Sequence, residues 1–521
     1  MTGEEPAPAI DPTLNSNGST QSKTDQSSRR GSTRAIDAAA LGIAALAVVL
    51  RIFVLRTTHC TIEDAYISLR YAENLANGNG FVYNLGERVL GTTTPLYTLI
   101  MALGSATPFG GLAVGKGISI LADGAVCWVL YRLLCILGHP RAGLAAALLY
   151  ATASAPINFS IGGMETSLVT LAGLAAIYGY VGMRSIAMCV PLAVLALLRI
   201  DGLLLAVVLL AGWFSAERKL PWRGLGIGLL VALPWLIFAT AYFGSPLPQS
   251  ALAKLVVYEH TTREFLSNRH ILAHQFIGDI PHAVLFVFSL LGGFVAWRRY
   301  RVLRAPLIWI LLYHLAILIS RAPVEAFGWY FVPPLPVYYA ATALGLAEAW
   351  RWPLARLPTV EHMRVGTPNV FLCVMAAGLM WNVRSITRSI AFAQNREDTL
   401  RRTAGLWLAA HAPPDARMLT EAIGYLGYFS RLRVLDMVGL VSPEVVSSYR
   451  RSQYPLGDIV ERFHPELMVI RASERDEINA YSLAAGRLLI DEEYVFVRGF
   501  ASESDAAYLL LYRRQDIKLR Q

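Results

Sequence analysis

Hydrophobic runs recur along the first three quarters of the chain and alternate with short polar segments. A helix needs about 20 mostly apolar residues to cross a membrane. Eleven runs approach or reach this length, and we predict a transmembrane helix in each, at about 36–55, 113–136, 141–158, 165–183, 185–200, 202–216, 223–243, 282–298, 305–320, 328–350 and 367–384. The pattern predicts a polytopic α-helical membrane protein with about 11 transmembrane helices.

One further apolar run, residues 94–110, is too short to span a membrane and is bounded by two prolines. It opens with Thr94 and Pro95, a capping hydroxyl followed by proline at the first helical position. We interpret it as a helix that lies on or dips into the outer face of the membrane.

The positions of Lys and Arg predict the orientation, because cytoplasmic loops are enriched in both. Arg29, Arg30 and Arg34 precede the first apolar run and place the N-terminus in the cytoplasm. Alternation from there puts basic clusters such as Arg298–Arg304 inside, and it puts the long first loop (57–112) and the C-terminal tail outside. The sequence therefore predicts a multi-pass protein of the cell membrane.

The two ends of the chain differ from the apolar region between them. Residues 1–34 are rich in Ser, Thr, Asn, Gln and Pro, which predicts a disordered cytoplasmic tail before a transmembrane domain at 35–384. Beyond residue 385 a basic helix precedes five short β-rich runs: "ARMLTEAIGYLGYF", "RVLDMVGL", "ELMVIRA", "EYVFVRGF" and "AAYLLLYRR". Helix and strand signals interleave there, so we predict a small extracytoplasmic α/β domain at 385–521.

Composition agrees with this assignment and excludes other classes. Hydrophobic residues make up 55% of the chain and charged residues 16%, against roughly 25% charged in soluble domains. The net charge of +9 comes from clusters in loops between apolar runs, so nucleic-acid binding is not predicted. The five cysteines have no metal-ligand spacing.

The first outer loop opens with two adjacent acids, Glu63 and Asp64, at the start of a short amphipathic helix that stops at "NGNG". Asp64 could simply cap this helix while Glu63 meets its dipole. Alternatively, a carboxylate at the membrane surface could act as a general base that takes a proton from an acceptor hydroxyl. The loop by itself is compatible with both interpretations.

Other charged and aromatic residues are predicted at the same outer face. Each has a simpler explanation alone: a local salt bridge for Arg199 and Asp201, a solvated position for Lys254, and membrane-interface anchoring for Trp329 and Tyr330. Their convergence on one side of the membrane favours a functional site. The candidates are Glu165, Arg199, Asp201, Lys254, Arg321, Trp329 and Tyr330.

Several motifs carry a resemblance to a known superfamily. They are "EDAYISLRYAENLANGNGFVYNLGERVLGTTTPL", "GGMETSL", "RIDGLLLA", "YFGSPLPQSALAK", "GWYFVPPLP" and, more weakly, "DMVGLVSP". Through them the chain resembles the GT-C superfamily of polyprenyl-phosphate-sugar-dependent glycosyltransferases from about residue 40 to 445. It is most similar to the actinobacterial arabinofuranosyltransferases that add terminal arabinose to cell-wall arabinan.

The resemblance implies an inverting sugar transfer from a polyprenyl-phosphate donor to a cell-envelope glycan or lipid on the outer face, with arabinofuranose or a hexose as the sugar. It implies Asp64 as the catalytic acid, with Glu63 as neighbour or alternate. The phosphate would need cations, and Arg70, Arg199, Lys254 and Arg321 are the candidates. No cofactor is implied with certainty, and a divalent cation is left open.

Two departures from the family pattern and two rival functions accompany this hypothesis. The family's "RPDG" is "RIDG" here, and its "WRYF" is "GWYF", which removes a cation near the expected site. A lipid or sugar transporter or flippase would predict polar groups near mid-membrane and repeat symmetry. A non-catalytic membrane scaffold with an extracytoplasmic sensor domain is the other rival.

Overall fold

The structure is a computed structural model that describes residues 17–258, 269–271, 273, 276–319, 324–354, 367–502 and 505–520. The first eleven helices are α1 (Asn17–Thr58), α2 (Glu63–Ala76), α3 (Pro95–Ser105), α4 (Gly111–Ile136), α5 (Pro140–Thr152), α6 (Ser154–Ile161), α7 (Thr166–Val181), α8 (Ser185–Leu198), α9 (Leu203–Glu217), α10 (Trp222–Phe243) and α11 (Gln249–Val257). Four further helices of 16 to 31 residues follow at Ile280–Arg299, Arg304–Ile319, Leu335–Leu354 and Thr367–Glu397.

Every apolar run predicted from the sequence is helical, and the chain is a multi-pass membrane protein. Six helices among the described residues are long and apolar enough to cross a membrane, or seven if the pair α5 and α6, bent by 55°, forms one span. The predicted number of about 11 therefore includes shorter helices. Two of these, α7 and α8, have 16 and 14 residues, and α7 is largely buried among its neighbours.

The start of α1 differs from the sequence prediction, whereas the length of α3 agrees with it. Helix α1 begins at Asn17, inside the segment predicted to be a disordered tail, although its membrane-compatible part begins only at Arg34. Residues 1–16 lie outside the described residues. Helix α3 has 11 residues, which is well short of the spanning length.

The C-terminal region forms the predicted α/β domain. Its strands are β1 (Arg417–Thr420), β2 (Arg433–Asp436), β3 (Leu467–Arg471), β4 (Tyr494–Ser502) and β5 (Asp505–Arg514), and each falls within one of the five β-rich runs. The sheet order is β2-β1-β3-β5-β4. Strand β1 pairs parallel with β2 and β3, whereas β5 pairs antiparallel with β3 and β4.

The long loop at 57–112, predicted to be extracytoplasmic and called the first outer loop below, shares one hydrophobic core with the C-terminal domain. Tyr71, Phe81 and Tyr83 of the loop are almost fully buried and pack in the same cluster as Leu426 and Val434 of the domain. We call this contact the seam. Because the core is continuous across it, the domain holds the loop in place and does not hang free on a linker.

Candidate active site

A small polar pocket of about 60 Å³ lies beneath the first outer loop. It is formed by six parts of the chain: the loop, the start of α7, the α8–α9 connection, α11, the segment before Leu335–Leu354 and the C-terminal domain. Its lining consists of Asp64, Ile67, Ser68, Gly91, Thr92, Thr93, Thr94, Met164, Glu165, Arg199, Ser250, Lys254, Trp329, Tyr330 and Leu440. Six of the residues predicted for the site therefore line one pocket.

Asp64 lies in the first turn of α2, and its side chain lines the pocket. The N-cap residue is Ile62, and no side chain caps the helix, so the proposed capping role of Asp64 is not observed. Within the part of the chain that the structure describes, the Asp64 carboxylate has no hydrogen-bond partner. Asp64 is half-buried, and a carboxylate that lines a pocket without such partners is available to a ligand.

The electrostatic surroundings of Asp64 suit a general base. Burial raises the pKa of its carboxyl above the usual range for aspartate. The cation of Lys254 acts in the opposite direction, the carboxylate of Glu421 raises the pKa further, and Arg199 lowers it. A carboxylate whose pKa is raised binds a proton more strongly than an ordinary aspartate does.

Arg199 is held between two acids at the pocket wall. Its Nε donates to Asp201 Oδ1 at 2.8 Å, and its Nη1 donates to Glu165 Oε1 at 3.0 Å. The guanidinium also lies 4.4 Å from the centre of the Tyr330 ring. The salt bridge expected between Arg199 and Asp201 is thus present, and Glu165 extends it. Much of the Arg199 charge is compensated by these two carboxylates.

Lys254 has a different environment from Arg199. Its Nζ lies 4.3 Å from the centre of the Phe327 ring, and no carboxylate of the described residues forms a salt bridge with it. It belongs to the same pocket as Asp64 and stabilises the charged form of that acid. Lys254 is therefore the pocket cation that is most available to an incoming anion.

Glu63 does not share the position of Asp64. Its carboxylate forms an ion pair with Arg401 and accepts a hydrogen bond from the Gly424 backbone at 3.2 Å. Arg401 also donates to Glu397 at 2.9 Å. Adjacent helical residues point in directions about 100° apart. The two predicted acids are consequently divided, with Asp64 in the pocket and Glu63 in the seam.

Arg70 lies in the seam and is absent from the pocket lining, which corrects its predicted role as a substrate ligand. Its guanidinium donates to three backbone oxygens: Tyr83 O at 3.0 Å, Gly427 O at 2.6 Å and Leu432 O at 2.8 Å. It also lies 4.2 Å from the centre of the Tyr83 ring. With these contacts it joins the loop to the domain. The other predicted phosphate ligand, Arg321, falls outside the described residues.

Three groups of pocket residues were missed from the sequence. The hydroxyl run Thr92–Thr94 belongs to a quoted motif, but only Thr94 carried a predicted role, as a helix cap, and its side chain makes no capping hydrogen bond. Ser250 lies four residues before Lys254, so helical spacing alone could have placed both on one face of α11. Ser68 has the same relation to Asp64 on α2.

Leu440 reaches the pocket because the motif "DMVGLVSP" folds around Asp436. The Asp436 carboxylate accepts backbone hydrogen bonds from Val438 at 2.9 Å, Leu440 at 2.5 Å and Val441 at 3.1 Å. A Cβ at Gly91 would stand 2.7 Å from Leu440 O, so the close approach of loop and domain requires glycine there. The C-terminal domain therefore closes one side of the pocket.

A larger apolar cavity of about 600 Å³ adjoins the polar pocket. Lys254 and Tyr330 line both spaces. Leu203 and Val207 of α9, together with Asp201 and Ile317, also line this cavity. A ligand with a long apolar chain and a polar head would find both environments side by side.

The described residues contain no group of three or more His, Cys, Asp or Glu side chains that could hold a metal ion. Asp64 and Glu165 are the acids that line the pocket, and Glu165 is engaged by Arg199. A divalent cation at this pocket would therefore rely mainly on Asp64 among the described acids.

Comparisons with known proteins agree with the fold. The crystal structure of ArnT from Cupriavidus metallidurans in the apo state aligns with a TM-score of 0.57 at 13% identity, over 90% of this chain and 97% of that one. The same protein bound to undecaprenyl phosphate aligns with a TM-score of 0.54 at 13% identity, over 92% of this chain and 98% of that one.

An archaeal oligosaccharyltransferase, AglB from Archaeoglobus fulgidus in complex with an inhibitory peptide and a dolichol-phosphate, also aligns. Its TM-score is 0.57 at 12% identity, over 92% of this chain and 76% of that one. The chain has a GT-C-like fold. Residues 387–515 match a family described as a domain of unknown function (DUF8728). No curated protein matches the sequence.

Proposed function

We propose that the protein is a membrane glycosyltransferase that transfers a sugar from a polyprenyl-phosphate donor to an acceptor hydroxyl. The observation that carries this proposal is the junction of the polar pocket and the apolar cavity at Lys254. A donor of this class consists of an apolar chain, a phosphate and a sugar in that order. The cavity, the Lys254 cation and the polar pocket offer matching surroundings in the same order.

The proposed reaction is a direct displacement at the anomeric carbon. Asp64 takes the proton of the acceptor hydroxyl, whose oxygen forms a bond to that carbon on the face opposite the phosphate. The bond between the anomeric carbon and the phosphate oxygen breaks, and its electron pair leaves on the phosphate. The configuration is inverted. A phosphate leaving group needs no general acid, and Lys254 stabilises the negative charge it carries away.

The remaining pocket residues would position the reactants. Arg199 is oriented by Glu165, Asp201 and the Tyr330 ring, which makes it a rigid secondary cation for the phosphate. Trp329 is buried and stacks beside Tyr330, with ring centres 6.1 Å apart. Arg321 stays a predicted phosphate ligand, and participation of a divalent cation stays open.

The structural neighbours support a lipid-phosphate carrier, because one is bound to undecaprenyl phosphate and another to a dolichol-phosphate. The sugar we propose is arabinofuranose or a hexose, and the acceptor is a glycan or lipid of the cell envelope. The polar pocket combines an acid without a hydrogen-bond partner among the described residues with an available cation. A non-catalytic scaffold does not need that pairing.

The test is a transfer assay on the purified protein in lipid nanodiscs. Polyprenyl phosphate carrying arabinofuranose and polyprenyl phosphate carrying a hexose are each supplied with short glycan acceptors. We expect release of polyprenyl phosphate and a new glycosidic bond of inverted configuration, detected by NMR. Transport of the intact lipid-linked sugar across sealed vesicles, without bond cleavage, would instead identify a flippase.

The proposed reaction also requires that the pocket and the C-terminal domain lie outside the cytoplasm. Cysteines introduced at Glu444, an exposed residue of the domain, and at Arg301, an exposed residue of a basic turn, test this orientation. A membrane-impermeant maleimide applied to intact cells should label position 444 and spare position 301. The reverse pattern would contradict the proposed topology.

A further inference from the structure

The hydroxyl-bearing residues of the pocket form a group of their own, apart from its charges. Ser68 Oγ lies 3.3 Å from Thr94 Oγ1, and Thr94 Oγ1 lies 3.1 Å from Thr92 Oγ1. All three residues are buried and line the pocket. This network forms one wall of the pocket.

Ser250 of α11 also lines the pocket. The Gln249 backbone N–H donates to Leu90 O at 2.8 Å, which anchors the start of α11 beside the Gly91–Thr94 segment. Ser250 is 3% exposed and lines the pocket, yet its hydroxyl finds no hydrogen-bond partner among the described residues. A buried hydroxyl without a partner costs stability unless a ligand supplies the missing hydrogen bond.

Two of these hydroxyls lie one helical turn from a charged residue of the pocket. Ser250 and Lys254 share one face of α11 and are one turn, about 6 Å, apart. Asp64 and Ser68 are related in the same way on α2. The pocket thus combines four charged residues with the hydroxyl group formed by Ser68, Thr92, Thr94 and Ser250. The apolar cavity adjoins the pocket at Lys254, and Ser250 lines the pocket but not the cavity.

We propose that the hydroxyl group of Ser68, Thr92, Thr94 and Ser250 is the subsite for the transferred sugar and that it selects a neutral, polyhydroxylated sugar. This inference rests on the proposed function. With the lipid chain in the apolar cavity and the phosphate at Lys254, the sugar lies one turn further along α11, at Ser250. Serine and threonine hydroxyls both donate and accept hydrogen bonds, as sugar hydroxyls do. An amino sugar carries an ammonium group in place of one hydroxyl, and an ammonium donates hydrogen bonds but accepts none.

The test compares the binding of three probes to the wild type and to Ser250→Ala in nanodiscs: polyprenyl phosphate, polyprenyl phosphate carrying arabinofuranose, and polyprenyl phosphate carrying an amino-arabinose. Wild type should bind the neutral sugar probe more tightly than the bare carrier or the amino sugar. Ser250→Ala should weaken the neutral probe about tenfold and leave the carrier unchanged. Its thermal midpoint should not fall, because the lost hydroxyl had no protein partner.

Two matched variants make the outcome specific. Ser245→Ala, in the same connection but outside the pocket lining, should bind all probes like wild type. Lys254→Met should weaken the binding of the bare carrier and of both sugar probes alike.

Two results would overturn the sugar subsite. One is an equal loss of affinity for the carrier and the neutral sugar probe in Ser250→Ala, and the other is tighter binding of the amino sugar probe by wild type. If wild type binds the carrier and the sugar adds nothing, the subsite fails while carrier recognition stands. If wild type binds no probe, the proposed function fails with it.

Discussion

The two faces of the first outer loop use similar residues in opposite ways. On the seam, polar groups are paired: Arg70 donates to three carbonyl oxygens, and Asn84 both donates to and accepts from the Val434 backbone. In the pocket, Asp64 and Ser250 have no hydrogen-bond partner among the described residues. Satisfied polar groups stabilise the contact between loop and domain. Unsatisfied ones cost stability and are explained by a ligand.

The same contrast separates the two adjacent acids. Glu63 is neutralised by Arg401 and bound to the Gly424 backbone, whereas Asp64 faces the pocket beside Lys254. A one-residue step along α2 therefore separates a carboxylate that is paired within the seam from one that lines the pocket. Substitutions on either face should affect different measurements, turnover for the pocket and stability for the seam.

The largest expected effect is on turnover in Asp64→Asn. The amide keeps the size of the side chain but cannot accept the acceptor proton, so sugar transfer should fall by roughly 10²-fold or more while the thermal midpoint stays near wild type. Glu63→Gln is the matched control and should retain most of its turnover. A normal rate in Asp64→Asn together with an inactive Glu63→Gln would reverse the two roles.

The next largest effect concerns the seam. Arg70→Met keeps an apolar stem of similar length but removes the guanidinium from three buried carbonyl oxygens. Tyr83 O keeps a hydrogen bond from Asn74 and Gly427 O keeps one from the Arg431 backbone, whereas Leu432 O loses its side-chain donor. We expect a loss of about 3 kcal/mol in stability, measured as a lower thermal midpoint in detergent. Binding of polyprenyl phosphate by the folded fraction should be unchanged. Weaker binding without any loss of stability would return Arg70 to the list of phosphate ligands.

A smaller effect is expected when the charge of Lys254 is removed, both on the rate of transfer and on its pH dependence. Lys254→Met should weaken transfer by about tenfold, because a charge-assisted contact to the phosphate is lost. Lys254 lowers the pKa of Asp64, so its removal raises that pKa. The base must be ionised to act, and the acid limb of the kcat/KM profile should therefore move to higher pH. An unshifted limb would show that Lys254 does not act on the proposed base, Asp64.

The smallest effect is expected at the rim of the seam. Arg433 forms a salt bridge with Glu87, but its side chain is 56% exposed. Exposed pairs of this kind contribute little, so Arg433→Ala should change stability by less than about 1 kcal/mol and leave transfer untouched. A large loss in either measurement would mean that the rim, and not the buried interior of the seam, holds the domain against the loop.

The sequence alone was sufficient for the architecture. All predicted apolar runs are helical, and each of the five β-rich runs contains a strand. Hydrophobic runs and alternation are local properties, because the membrane and the sheet impose their periods on neighbouring residues. Asp64, Glu165, Arg199, Lys254, Trp329 and Tyr330 were also assigned to one site from their position at predicted helix ends and loops, and they line one pocket.

Tertiary structure alone decided which acid faces the pocket, what Arg70 does and how the pocket is closed. Arg70 finds its partners Gly427 and Leu432 some 360 residues away, at separations of 357 and 362 positions. Glu63 meets Arg401 across 338 positions. A side chain's partner depends on which distant backbone the fold brings beside it, and no local pattern encodes that. For the same reason Leu440 and the unpaired hydroxyl of Ser250 became part of the site only when the domain and α11 were packed against the loop.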